Sequence, residues 1–192
     1  MLFSQLKSMP NQLTLIRLVF IPFIIMSVTE TPAHYRLALL LFILAGISDG
    51  LDGLLARVLK QKTKLGEYLD PIADKLLLSS MFILLSYEHR IPWRITLMVF
   101  SRDLGIVLVA LVLYMSTPLR DFSPSVYGKV NTAAQVAAVF FVLIREINDS
   151  QWIELTMHIL LWSVFGFALL SGVHYIILVG RRMRALPEPP QE

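Results

Sequence analysis

Residues 49–74 read DGLDGLLARVLKQKTKLGEYLDPIAD and place four aspartates, Asp49, Asp52, Asp70 and Asp74, between two long apolar runs. Carboxylates this close to hydrocarbon are energetically costly, so the cluster indicates a functional site. On a helix, residues three or four apart share one face, which makes Asp49 and Asp52 one pair and Asp70 and Asp74 another. Two helices that turn these faces toward each other would place four carboxylates around one point.

A cluster built only of carboxylates favours Mg²⁺ or Mn²⁺, because these ions prefer hard oxygen donors and zinc prefers nitrogen or sulfur. Structural ion pairs with Arg57 and the nearby lysines are the competing interpretation. Ion pairs need no glycine at fixed offsets, whereas a phosphate or nucleotide that approaches a helix backbone does. Gly53 and Gly66 supply such positions, and Gly66 shares a face with Asp70 if the helix starts that early. A calcium-binding loop is excluded by the spacing.

The series D-x2-D-G-x2-A-R-x8-G-x3-D-x3-D is complete here and resembles the signature of the CDP-alcohol phosphatidyltransferase family. Residues 10–17, PNQLTLIR, are similar to the first helix of that family. The segments Ser101-Arg102-Asp103 and 128–132, GKVNT, resemble its phosphatidylglycerophosphate synthase and CDP-diacylglycerol-type cardiolipin synthase branches. The resemblance covers residues 10 to about 180, nearly the whole chain.

The resemblance implies an enzyme that moves the phosphatidyl group of CDP-diacylglycerol to an acceptor alcohol and releases CMP. It implies that Asp49, Asp52 and Asp70 hold two divalent ions, with Asp74 completing the cluster and taking the proton of the acceptor hydroxyl as general base. Two ions about 3.5–4 Å apart would neutralise the attacking and leaving oxygens. An Asp74 that is only a metal ligand, with no role as base, is the alternative.

The nucleotide-binding positions implied by the resemblance are Gly53, Ala56, Arg57 and Gly66. Small residues admit the cytidine, and the planar Arg57 guanidinium can donate to pyrophosphate oxygens. Arg57 as an ordinary cytoplasmic anchor is the alternative.

A second candidate for nucleotide binding is a polar stripe on the first helix. Asn11, Thr14 and Arg17 are spaced by three residues and so lie on one helical face. This face either contacts the nucleotide or closes a packing interface.

Two residues are candidates for binding the acceptor. Lys129, at the start of the fifth apolar stretch, suits an acceptor phosphate, and Arg102 either binds the acceptor or pairs with a buried carboxylate. Asp103 is expected to be a poor partner for Arg102, since adjacent helical residues project about 100° apart. Glycerol 3-phosphate and phosphatidylglycerol both remain open as acceptor. The Ser101-Arg102-Asp103 triplet favours phosphatidylglycerol. The wider occurrence of glycerol-phosphate enzymes favours glycerol 3-phosphate and tilts the prediction to that acceptor.

The composition predicts an all-α, polytopic membrane protein, because 56% of the 192 residues are hydrophobic and the mean hydropathy is +0.66. Each of six apolar stretches can cross a hydrocarbon core of about 30 Å as a helix. Their approximate bounds are 11–29, 36–56, 70–87, 93–115, 128–146 and 152–179. We expect one domain, residues 1–185, that begins with a short interfacial helix at Met1–Ser8 and is followed by a disordered tail, 186–192.

The distribution of basic residues predicts the orientation in the membrane. The loops on the side of the termini hold ten lysines and arginines, against four on the other side. This places both termini and the aspartates on the cytoplasmic side of the membrane. The membrane is expected to be a bacterial inner membrane. The family resemblance also implies a homodimer. A transporter or a structural scaffold is disfavoured because neither explains the aspartate–glycine motif, and no paired halves occur as in repeat transporters. Nucleic-acid binding is disfavoured because the net charge is only +3.

Overall fold

The structure is a computed structural model that describes the backbone of residues 9–58, 64–116 and 126–184 and the side chains of 14–51, 72–106, 128–173 and 180. The described chain is all helical, as predicted. Its elements are α1 (Met9–Thr29), α2 (Tyr35–Val58), α3 (Lys64–Tyr87), α4 (Trp93–Ser116), α5 (Val126–Arg145) and α6 (Gln151–Arg184). The predicted interfacial helix and C-terminal tail lie outside these residues.

The helices coincide with the six apolar stretches, but two of them extend further than predicted. Helix α3 begins at Lys64, so Gly66 and Asp70 both lie within it and share a face, as the spacing requires. Helix α6 continues to Arg184, beyond the predicted end near residue 179. The sequence from 180 to 186 contains no proline, so nothing in it forces the helix to stop where the apolar run does.

The helices pack in two main groups. Helix α1 packs against α2 and α3, α5 packs against α6, and α4 lies mainly on α6. Contacts of α2 and α3 with α5 join these groups, so these three helices meet in one place. The fully buried side chains at the centre include Phe82, Leu85, Ile95, Leu143 and Val164, from four different helices.

The turn between α3 and α4 is held by both backbone and side-chain hydrogen bonds. Helix α3 ends in a Schellman-type cap: the Arg90 amide donates to the Leu85 carbonyl at 2.8 Å and the His89 amide to Ser86 at 3.1 Å. His89 takes the left-handed conformation that this cap needs, with φ 58°. Inside the turn, the buried hydroxyls of Ser86 and Thr96 lie 2.5 Å apart. These bonds fix how α3 enters α4.

Large apolar side chains cover much of the outside of the bundle. More than half of the Val19, Phe23, Leu40, Leu97 and Ile159 side chains, for example, is exposed. Proteins surrounded by water seldom expose contiguous apolar surface on this scale. The outer surface therefore suits contact with lipid.

Of the described residues, the segment Gln151–Val173 of α6 is long and apolar enough to cross a membrane, and Thr14–Thr29 is a shorter apolar helix. Six spans were predicted, and within the described part of the chain α6 alone meets this criterion of length and hydropathy. Two arginines lie within other apolar helices, Arg17 in α1 and Arg102 in α4. Arg17 takes part in the site described next.

Candidate functional site

Asp49 and Asp74, which lie 25 positions apart in the sequence, line one cleft of about 440 Å³. The cleft lies where α2, α3 and α5 meet, and Arg17 of α1 also reaches it. The other lining residues are Phe42, Ile43, Ala45, Gly46, Leu77, Leu78, Ala133, Val136, Ala137 and Phe140. The two aspartate-bearing helices therefore bring together the pair of predicted residues whose side chains are described.

Arg17 holds Asp49 in this cleft. Its Nη2 donates to Asp49 Oδ1 at 2.7 Å. The arginine is fully buried, whereas half of the Asp49 side chain is exposed. A buried guanidinium is tolerated only when it is paired, so this contact both compensates the charge and joins α1 to α2. Of the polar stripe, Arg17 thus contacts a carboxylate and Thr14 is buried; the side chain of Asn11 lies outside the described residues.

Gly46 opens the wall of the cleft on α2. A Cβ added at Gly46 would meet nothing within 4 Å, so there is free space beside the helix backbone. The sequence analysis did not identify Gly46, and it named Arg17 only as part of the polar stripe on α1. The available signals were a small Ala45-Gly46 pair one turn before Asp49, and an arginine inside an apolar helix.

The cleft has a charged end and an apolar end. Asp49, Asp74 and Arg17 form the charged end. Phe42 lies two turns before Asp49 on α2, about 10 Å away along the helix axis at roughly 1.5 Å per residue. Phe140 of α5 contributes a second aromatic ring to the cleft lining. Such a cleft suits a ligand with a polar group and a hydrocarbon portion.

The predicted metal site falls only partly on described residues. Among the described side chains, no group of three or more His, Cys, Asp or Glu could hold a metal ion. Asp49 and Asp74 are the members of the predicted cluster that these side chains include. Their carboxylates are donors of the kind that Mg²⁺ accepts. The remaining predicted residues have side chains outside the described ranges: Asp52, Gly53, Ala56, Arg57, Gly66 and Asp70.

A second charged group joins α3, α4 and α6 behind Asp74. Asp103 accepts from Lys75 Nζ and from Arg102 Nη1, each at 2.6 Å and each through a different oxygen. Arg102 also donates from Nε and Nη2 to the Ser171 hydroxyl at 3.3 and 3.0 Å. The side chain of Arg102 is only 8% exposed. One carboxylate thereby connects a buried arginine with a partly exposed lysine.

The expectation that Asp103 is a poor partner for Arg102 was wrong. Adjacent Cβ atoms do diverge on a helix, but the long arginine side chain bends back and places Nη1 against Asp103. Pairing with a buried carboxylate, one of the two uses foreseen for Arg102, is confirmed. Neither Arg102 nor Lys129 lines the cleft. Lys129 is exposed, one turn before the cleft residue Ala133 on α5.

A helical bundle with a lipid-compatible exterior and a carboxylate cleft of mixed polarity is the architecture of a membrane-associated enzyme that acts on an amphiphile. The chain belongs to the CDP-alcohol phosphatidyltransferase family, whose sequence model matches residues 7–170. It is therefore a transferase of a membrane-associated family in phospholipid biosynthesis.

The sequence is similar to relatives that carry two kinds of name, phosphatidylglycerophosphate-forming transferase and cardiolipin synthase. A protein of Mycobacterium tuberculosis named "Probable phosphatidylglycerophosphate synthase" is 35% identical over 73% of this chain and 68% of its own length. The Escherichia coli K12 "CDP-diacylglycerol--glycerol-3-phosphate 3-phosphatidyltransferase" is 33% identical over 88% of this chain and 93% of its own length. Human "Cardiolipin synthase (CMP-forming)" is 31% identical over 91% of this chain and 62% of its own length.

The Asp103 contacts predict a loss of stability when that carboxylate is removed. Asp103→Ala leaves Lys75 and Arg102 without their shared partner. Breaking a buried ion pair costs about 3–5 kcal/mol, and the 20% exposure of Asp103 places the effect near the lower end. We expect a fall of roughly 6–12 °C in the unfolding temperature in detergent.

Asp149→Ala is the matched control, since Asp149 pairs with Arg145 on the surface and is 84% exposed. Such pairs contribute about 0.3–0.5 kcal/mol. Equal unfolding temperatures for the two variants would show that the Asp103 network does not hold the helices together.

Proposed function

We propose that this protein is a phosphatidylglycerophosphate synthase, which transfers the phosphatidyl group of CDP-diacylglycerol to glycerol 3-phosphate and releases CMP. The observation that carries the proposal is the cleft with Asp49 and Asp74 at one end and apolar walls at the other. The donor has the same two parts, a diphosphate that needs charge neutralisation and two hydrocarbon chains. The relatives named for this reaction support the choice of acceptor.

The donor is proposed to lie with its diphosphate near Asp49 and Asp74 and its diacylglycerol against the apolar wall. Phe42, Leu77 and Phe140 belong to that wall. Free space beside Gly46 admits a substrate close to α2. The cytidine is assigned to Gly53, Ala56, Arg57 and Gly66 by the sequence motif, and we retain Asn11 and Thr14 as neighbours of the nucleotide.

The aspartates fit a pair of divalent ions, Mg²⁺ or Mn²⁺. Asp52 lies one turn from Asp49 on α2, and Asp70 lies one turn from Asp74 on α3, so the register allows all four to contribute ligands. When bound, such ions supply charge neutralisation for the phosphoryl oxygens and the departing phosphate. Arg17 holds one oxygen of Asp49 and so fixes the direction in which that carboxylate faces.

Asp74 is proposed as the general base. Its carboxylate lines the cleft and takes the proton of the acceptor hydroxyl as the oxygen forms its bond to the phosphatidyl phosphorus. The bond from phosphorus to the CMP oxygen breaks, and CMP leaves with the electron pair. Phosphoryl transfer depends mainly on positioning and electrostatics, so one well-placed general base is the main chemical group that the protein needs to supply.

Phosphatidylglycerol is the second candidate acceptor, and the product would then be cardiolipin. The relative named cardiolipin synthase, which aligns with 91% of this chain, favours it. Lys129 is proposed to bind the acceptor phosphate in either case, with Arg102 as a second cation. Assays with each acceptor alone distinguish the two reactions.

The proposed setting is a bacterial inner membrane crossed by all six helices, with both termini and the cleft on the cytoplasmic side. The exposed apolar side chains that each of the six helices carries support this setting. A homodimer is proposed on the family resemblance.

The first prediction concerns the metal. The purified protein should release CMP from CDP-diacylglycerol and acceptor with Mg²⁺ or Mn²⁺ present, and excess chelator should abolish the release, because carboxylates are the only ligands in the motif. Chromatographic measurement of CMP checks this, and restoring the metal is the control. Undiminished release in chelator would end the two-metal proposal.

The second prediction separates binding from proton transfer. Alanine at Asp49, Asp52 or Asp70 should weaken donor binding and turnover together. Asp74→Asn should keep the KM for CDP-diacylglycerol and lower kcat by at least about 100-fold, since a base acts mainly in the transition state. The exposed Asp149→Asn serves as control in the same kinetic assay. If Asp74→Asn kept more than about a tenth of the wild-type kcat, Asp74 would not be the base.

The third prediction concerns the acceptor. Lys129→Ala should raise the KM for glycerol 3-phosphate roughly 10- to 150-fold, the effect of losing one charge-assisted contact of about 1.5–3 kcal/mol. The KM for CDP-diacylglycerol should stay nearly constant, and the exposed Arg36→Ala should change neither. With phosphatidylglycerol as acceptor the increase should be smaller, because its phosphodiester carries one charge and its acyl chains add affinity. An unchanged acceptor KM removes Lys129 from the site.

A further inference from the structure

The opposite end of the bundle contains a second cleft, of about 360 Å³, between the α3–α4 turn and α6. It is distant from the cleft that contains Asp49 and Asp74. Asp74 and Tyr87, the last residue of α3 before the turn, are separated by roughly 20 Å along the helix at about 1.5 Å per residue. Its polar and aromatic lining residues are His89, Arg90, Trp93, Arg94, His158 and Trp162.

The charge of this second cleft is one-sided. Among the described residues that line it, two are arginines and none is an aspartate or glutamate. Arg90 is partly neutralised from outside the cleft, where its Nη2 lies 3.1 Å from Glu146 Oε2. An excess of positive charge therefore remains, and the phosphate of a ligand would balance it.

Arg94 is the source of that excess. Its guanidinium carbon lies 5.0 Å from the centroid of the Trp162 ring, a cation–π arrangement that fixes the side chain across the cleft. Within the described part of the chain no carboxylate comes within ion-pair distance of Arg94, in contrast to Arg90 and Arg145. A fixed, unpaired guanidinium is suited to bidentate binding of phosphate oxygens.

The surroundings of the cleft are apolar. Trp93 and Trp162 at its mouth are about half exposed, and tryptophans with this placement are typical of the membrane–water interface. Leu97 on α4 and Ile159 on α6, each within about one turn of the cleft residues, expose 62% and 57% of their surface. A ligand whose phosphate is in the cleft can thus extend hydrocarbon along the outside of α4 and α6.

We propose that this second cleft binds the headgroup of an anionic phospholipid in the membrane leaflet opposite the active site, with Arg94 contacting the phosphate and the acyl chains lying over Leu97 and Ile159. The inference rests on the membrane setting of the proposed function but not on its chemistry. It assigns this end of the bundle a lipid-binding role that is separate from catalysis.

The test measures lipid dissociation constants of the detergent-solubilised full chain by native mass spectrometry. Dioleoyl phosphatidylserine is the anionic probe, because it is neither donor nor acceptor in the proposed reaction. Dioleoyl phosphatidylcholine is the neutral comparison, and inorganic phosphate tests whether a free anion suffices. The wild-type protein should bind phosphatidylserine roughly tenfold more tightly than phosphatidylcholine, and millimolar phosphate should not displace the lipid.

The variants are Arg94→Gln and Arg36→Gln. Arg36 is an exposed arginine near the same end of the bundle, at the start of α2, and it also has no carboxylate partner among the described residues, but it lies outside the cleft. Arg94→Gln should weaken phosphatidylserine binding roughly tenfold, as expected for one charge-assisted contact. Arg36→Gln should stay within about twofold of wild type. Both should keep the wild-type unfolding temperature and CMP release.

Three results would overturn the proposal: equal wild-type binding of the two lipids, equal effects of the two variants, or displacement of phosphatidylserine by phosphate, which would indicate a site for soluble anions. Asp74→Asn separates this site from the catalytic proposal, since it should bind phosphatidylserine as wild type does. If CMP release were absent from the wild-type protein, the catalytic proposal would fail and the lipid measurement would still stand.

Discussion

The arrangement of this bundle depends on the pairing of charges between apolar helices. A lone guanidinium in such surroundings is costly, and the structure avoids that cost for Arg17 by placing Asp49 at 2.7 Å. The same requirement joins Lys75 and Arg102 to Asp103 on the other side of α3. In two of these contacts, Arg17–Asp49 and Lys75–Asp103, the partners lie on different helices. These ion pairs therefore favour one rotation and depth of α1 relative to α2 and of α3 relative to α4. Packing of similar aliphatic surfaces alone would not specify them.

This constraint also links stability with function. Arg17 and Asp49 contribute to helix packing and at the same time form the charged end of the cleft. Asp74, the proposed base, lines the same cleft as that pair and directly precedes Lys75 in α3. A substitution of Arg17 or Asp49 can therefore change both helix packing and the proposed chemistry, and the two effects need separate measurements.

The two proposed sites lie at opposite ends of the bundle and would meet phosphate by different means. At the proposed catalytic cleft Asp49 and Asp74 are carboxylates, which can meet a diphosphate only through cations. At the second cleft an arginine stacked on Trp162 can meet a phosphate directly. The first arrangement suits a substrate that must react and leave, and the second suits a lipid that remains bound.

The sequence was enough to predict the six helices, the family and the aspartate motif, because hydrophobic run length and fixed spacing along one helix are local properties. It also showed that Asp49 and Asp74 belong together through their place in the motif. Which charges pair depends on how the helices pack, since Arg17 meets Asp49 and Lys75 meets Asp103 across helices whose relative rotation no local pattern specifies. Helix geometry even misled for Arg102, where a flexible side chain overcame the divergence of adjacent Cβ atoms.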